Sequence, residues 1–289
     1  MKEIVKAKIA PLLSADEEIQ SVEQLGGMTN QNYLVKTSSN QYIVKFFGKG
    51  TDKLIDRQNE KYNLELLKDL KLDVENYLFD IEAGIKVNQY IENAETLDST
   101  IIKTKFEKIA PILQTIHASG KELKGEFAPF EEIKKYESLI QGEISYPNYE
   151  AVRKAVFSLK DQLEEIGIDK KSCHIDLVPE NFIEGPDGHL YLIDWEYSSM
   201  NDPMWDLAAL FLESEFTSAE EEDFLSHYES DKTPVSREKI RIYKILQDII
   251  WSLWTIYKEE NGADFGDYGI SRYNRAVKEL EAEGDLNEN

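Results

Sequence analysis

The chain changes texture once, near Asn93, and that change restricts the folds open to it. Before Asn93, short runs alternate apolar and polar residues between Gly, Ser and Asn; after it, apolar residues recur at helical spacing. Strands are expected over residues 21–25, 33–36, 42–47, 77–81 and 85–91, with helices over 4–13 and 53–70. Beyond Asn93, helices are expected over 100–118, 130–140, 149–166, 204–213, 219–228, 236–260 and 269–283. One hairpin interrupts them, residues 181–184 and 190–193 about the turn Gly185-Pro186-Asp187-Gly188. This predicts an α+β chain with a sheet-bearing lobe, 1–93, and a helical lobe, 94–289.

A length of 289 residues is near the size at which one core gives way to two. The 33 basic and 56 acidic residues leave a net charge of -23, which argues against nucleic acid and against anionic membranes as partners. The one cysteine, Cys173, excludes an internal disulfide and a cysteine zinc cage. The N-terminal stretch mixes Lys2, Glu3, Lys6 and Lys8 with its apolar residues, and no run approaches the roughly 18 apolar residues of a membrane span. A cytoplasmic setting is expected. The oligomeric state is not legible.

The strongest local signal is His174-Ile175-Asp176-Leu177-Val178-Pro179-Glu180-Asn181, followed by Asp194 at the end of an apolar strand. The Asp-to-Asn spacing matches a phosphotransfer loop, in which an Asp accepts a hydroxyl proton. Asn181 and Asp194 offer hard oxygens suited to Mg2+ on the phosphates of ATP. His174 reads as structural. Lys45, on the third strand, is placed to hold phosphates, with Glu60 on the next helix as its partner. Two unrelated surface charges are the plain alternative for that pair. The turn Gly26-Gly27-Met28-Thr29-Asn30 matches neither G-x-G-x-x-G nor a P-loop, yet its small residues, Thr29 and Asn30 among them, let backbone amides approach phosphates. A simple hairpin turn explains it nearly as well.

Aromatic residues crowd the latter half of the chain. Trp251 and Trp254 share a helix face, Phe265 and Tyr268 follow, and Tyr197 stands just past Asp194. They either fill a helical core or wall a cage for a quaternary ammonium.

Together these segments resemble the choline/ethanolamine kinase family, its bacterial members in particular. The likeness runs from Leu25-Gly26-Gly27-Met28-Thr29-Asn30 through Gln89-Tyr90-Ile91, Ile193-Asp194-Trp195-Glu196-Tyr197 and Trp251-Ser252-Leu253-Trp254 to Arg272-Tyr273. It implies the protein-kinase-like fold shared with aminoglycoside phosphotransferases, and transfer of phosphate from ATP to choline. By position, Asp176 is then the base, Asn181 and Asp194 the magnesium ligands, and Lys45 the phosphate contact. Gln89 carbonyl and Ile91 amide would face adenine. Tyr197, Glu213, Trp251, Trp254 and Tyr268 would form the choline pocket, and Asp206 would brace the catalytic loop. The interval from Phe265 to Tyr268 is shorter than in eukaryotic members. Ethanolamine or an aminoglycoside as acceptor, or an inactive binding module, are the competing readings.

Overall fold

Alternating burial along the first third of the chain resolves into strands, and the later periodic segments into helices, in a computed structural model that describes residues 2–26, 30–48, 50–282 and 284–286. In chain order the elements are α1 Lys2–Ile9, β1 Ile19–Gln24, β2 Gln31–Thr37, β3 Gln41–Phe46, α2 Arg57–Leu67, β4 Asn76–Asp80, β5 Ile85–Gln89, β6 Glu95–Thr96 and α3 Phe106–His117. Then come α4 Pro129–Leu139, α5 Tyr149–Ile166, β7 Lys171–Cys173, β8 Phe182–Glu184, β9 Leu190–Leu192, β10 Ser199–Asn201, α6 Pro203–Glu213, α7 Ser218–Tyr228, α8 Arg237–Glu260 and α9 Tyr268–Ala282.

Packing divides the chain into two compact units, Met1–Ile112 with Pro179–Ser198, and Leu113–Val178 with Ser199–Asn289. The sheet-bearing unit thus runs past residue 93 and takes in the 182–192 hairpin. Among the described residues its larger sheet has five antiparallel strands in the order β1-β2-β3-β5-β4. Val35, Val44 and Val87 are fully buried between this sheet and Val5 and Ile9 of α1. Each such side chain contributes roughly 1.5–3 kcal/mol by leaving water. The expected 53–70 helix is shorter: Asp56 caps it, accepting from Gln58 N at 2.9 Å and Asn59 N at 3.1 Å, so α2 starts at Arg57. Single 3-10 turns, Thr51–Lys53 and Lys68–Leu70, flank it.

In the second unit α8 packs against α4, α5, α6 and α9. Its apolar stripe, Ile242, Ile245, Leu246, Ile249, Ile250 and Leu253, is almost wholly buried. The pair β7–β10 is antiparallel, Cys173 facing Ser199 and Lys171 facing Asn201. Among the described residues no helix is long and apolar enough to cross a membrane.

Candidate active site

Cross-strand register decides the partners of Lys45 and Lys86 in the first unit. Lys45 on β3 stands directly opposite Lys86 on β5, so both side chains leave the same face of the sheet. Lys86 is 2% exposed, and an ammonium so buried requires a counter-charge. It takes Glu60 Oε1 at 2.5 Å. Arg57 NH1 takes the other oxygen of Glu60 at 2.6 Å. The expected pairing of Lys45 with Glu60 is therefore replaced. Lys45 Nζ instead donates to Asp194 Oδ1 at 2.6 Å. Burial alone would raise the carboxyl of Glu60, but Lys86 and Arg57 outweigh it and hold the group below its ordinary range.

The same network fixes the exit of the glycine turn. Arg57 NH2 donates to Asn30 Oδ1 at 2.9 Å, and Asn30 Nδ2 donates to Glu196 Oε2 at 2.7 Å. Arg57 NH1 closes the ring on Glu196 at 2.9 Å, with Phe47 against the guanidinium at 4.1 Å. Burial, with the nearby Asp194 charge, pushes the Glu196 carboxyl up despite Lys45 and Arg57. Asn30 thus engages its side-chain amide inside the protein. Thr29 lies outside the described residues.

Asp194 sits at φ 68, an unusual conformation for a non-glycine residue, just past β9. Ile193 N donates to Asn181 O at 2.8 Å, which sets the neighbours Asn181 and Asp194 at one end of the β8–β9 hairpin. A side-chain amide oxygen and a carboxylate are both hard donors, a set that fits magnesium. Gln89 ends β5 opposite Tyr42, and Ile91 follows two residues later, partly exposed. Tyr197 lies in this unit too, in the single turn Trp195–Tyr197. Trp195, expected with the helical lobe, also belongs here; its Nε1 donates to Leu192 O at 2.8 Å.

In the second unit the loop before Asp176 is pinned. Ile175 adopts φ 78, a strained conformation for a β-branched residue. Asp206 on α6 holds it there: Oδ1 accepts from Ile175 N at 2.8 Å and Oδ2 from His174 N at 2.8 Å. Trp205 Nε1 donates to Ile175 O at 3.0 Å. Asp206 Oδ2 also meets His117 Nε2 at 3.0 Å, and His117 Nδ1 meets Tyr228 Oη at 2.7 Å. His117, Cys173 and Asp206 lie close enough to suit a metal, but Asp206 is already engaged with backbone N–H groups.

The aromatic residues form a connected row. The Trp251 and Trp254 rings meet edge to face at 6.4 Å, Trp254 and Phe265 lie 5.0 Å apart, and Phe265 and Tyr268 6.4 Å. Trp254 is 6% exposed and Tyr268 38%, while Trp251 and Phe265 are half-buried, so the row is buried at Trp254 and opens to solvent at Tyr268. Burial pushes the Tyr268 hydroxyl up to about 12, and the charges of Glu213 and Asp176 add to the shift. Glu213 is held by Arg272 NH2.

A family model for choline/ethanolamine kinases matches residues 22–240. A protein named LicA from Haemophilus influenzae is 32% identical over 89% of this chain and 79% of its own length. The crystal structure of the choline kinase LicA from Streptococcus pneumoniae is 78% identical, covers 98% of this chain and 99% of its own, and superposes with a TM-score of 0.94. A structure of LicA in complex with AMP is 79% identical, covers 97% and 98%, and has a TM-score of 0.92. This chain belongs to the choline/ethanolamine kinase family.

Within that family frame, sequence reasoning missed several charged residues that pair with, or lie near, the predicted ones. Lys86 was legible only as one polar residue in a strand; its burial and its register with Lys45 make it the partner of Glu60. Arg57 stood in no motif, and Glu196 stood within the quoted Ile193-to-Tyr197 segment with nothing to announce its pairing with Arg57. Asp73 is a further case: part of its surface reaches solvent, yet burial pushes its carboxyl up to about 7 against the pull of Lys86. Arg272 stood within the quoted Arg272-Tyr273 segment, but nothing in its spacing announced that it would take Glu213.

Proposed function

We infer that this protein phosphorylates choline, transferring the terminal phosphate of ATP to its hydroxyl. The observation that carries the reading is the position of Asp176, directly after the pinned Ile175 and in the same compact unit as a row of aromatic faces that includes Tyr268. Asp176 orients the hydroxyl and takes its proton as the oxygen attacks phosphorus in line with the leaving ADP oxygen. Lys45 holds the phosphates, and Asn30 meets them through its backbone. Gln89 and Ile91 contact adenine through their backbones. Bound magnesium, held by Asn181 and Asp194, would neutralise phosphate charge. Trp251, Trp254, Tyr268 and Tyr197 present ring faces to the trimethylammonium group.

The test is ADP release with choline, ethanolamine, homoserine and an aminoglycoside, each with and without magnesium. Choline should give magnesium-dependent turnover. Asp176→Asn should lower kcat by about two to four decades, the span of a positioned base, while nucleotide still binds. Near-normal turnover in that variant would remove Asp176 from the mechanism.

A further inference from the structure

Arg272 stands one turn along α9 from Tyr268, on the same face. Its guanidinium lies 4.7 Å from the centre of the Tyr268 ring, and the residue is 5% exposed. NH1 donates to Asp248 Oδ1 at 3.1 Å, and NH2 donates to Glu213. Asp248 is also gripped by Arg275, whose Nε and NH2 reach its two oxygens at 2.6 Å each. Two arginines therefore share Asp248, and the charge of Arg272 falls chiefly on Glu213. A second resident cation, Lys258, lies 5.7 Å from the Trp254 ring centre.

This arrangement changes what Glu213 can offer. A carboxylate in contact with a buried guanidinium is already neutralised and already accepting. A primary ammonium entering the aromatic row gives up water at three N–H donors and needs acceptors in return. A trimethylammonium has no N–H, gives up no donated hydrogen bond, and takes its stabilisation from ring faces.

We propose that Arg272 is a specificity-determining residue: by occupying Glu213 it denies an acceptor to primary ammonium groups and tilts the site toward quaternary ammonium alcohols. The proposal rests on the choline-kinase reading above. It makes Glu213 a partner of the protein's own cation rather than the counter-charge of the substrate.

The experiment compares kcat/KM for choline and ethanolamine, with KM for ATP and thermal melts, in the unmodified protein and its variants. The unmodified protein should prefer choline. Arg272→Gln frees Glu213 and should raise the ethanolamine-to-choline ratio about tenfold or more, the size of one charge-assisted hydrogen bond, with KM for ATP little changed. Arg272→Lys keeps a cation beside Glu213 and should keep the ratio near its starting value. A purely structural arginine would lower both alcohols in parallel, and an unchanged ratio in folded Arg272→Gln overturns the proposal alone. Should that variant fail to fold, Glu213→Gln decides. The ratio should then stay within about twofold, and an ethanolamine loss about tenfold beyond that for choline would show that Glu213 does bind the substrate ammonium. If the unmodified protein turns over neither alcohol, the choline-kinase reading itself falls.

Discussion

Asp206 answers three donors with two oxygens: the backbone N–H groups of Ile175 and His174, and the ring of His117. Its job is mechanical. Ile175 would not hold φ 78 unaided, since that region costs a non-glycine residue of order 1–3 kcal/mol, and Asp176 is aimed by the residue before it. An amide at position 206 offers one acceptor oxygen where the carboxylate offers two. Asp206→Asn should therefore lower stability by about 1–3 kcal/mol, the penalty for an unmet buried donor. It should also lower kcat at temperatures where the protein remains folded, leaving KM for ATP near its starting value. Thermal melts with steady-state kinetics check this. A stability loss with undiminished kcat would mean that Asp206 supports the fold without aiming the loop.

At the scale of elements, α8 presents Trp251 and Trp254 one turn apart, and the loop to α9 brings Phe265 against Trp254. Trp254 is therefore both packed and a wall of the aromatic row. Trp254→Ala should reduce kcat/KM for choline about five- to thirtyfold, the loss of one ring face at 1–2 kcal/mol, with the KM for ATP unchanged and some fall in Tm. Trp254→Phe should restore part of the choline activity. A folded alanine variant with unaltered choline kcat/KM would make Trp254 a core residue only. The stripe behind this prediction was legible because helical periodicity survives in sequence. The periodicity gives α5, Tyr149–Ile166, to the residue and α6 to α9 within one residue at each end. The strands β6, β7 and β10, two or three residues each, carry too few positions to show alternation and were not anticipated. The Asp176-to-Asn181 segment stands out in sequence because its spacing is local. The pairing of Lys45 does not, because it depends on which strand lies beside β3, and the β3–β5 neighbour relation places a second, more deeply buried lysine in competition for Glu60.

The whole molecule carries a net charge of -23, while its two proposed substrates carry opposite charges. Choline is a monocation and nucleotide an anion, so one far field attracts the first and repels the second. Inside the first unit that repulsion is met locally by Lys45, Lys86 and Arg57, but two of these are paired with Glu60 and all three sit close to carboxylates. Screening should separate the two effects, because the Debye length falls from about 30 Å at 0.01 M ionic strength to about 10 Å at 0.1 M. Raising a non-binding salt across that range should lower kcat/KM for choline severalfold, as the attraction is screened. Over the same range kcat/KM for magnesium-ATP should rise or hold, as the repulsion is screened. The cage itself is short-ranged, so the choline slope should persist in Trp254→Phe even as its absolute activity drops. Opposite signs for the two substrates are the signature of a global field. Slopes of one sign for both substrates, or a choline kcat/KM indifferent to salt, would show that the acidic surface serves solubility and plays no part in gathering the cation.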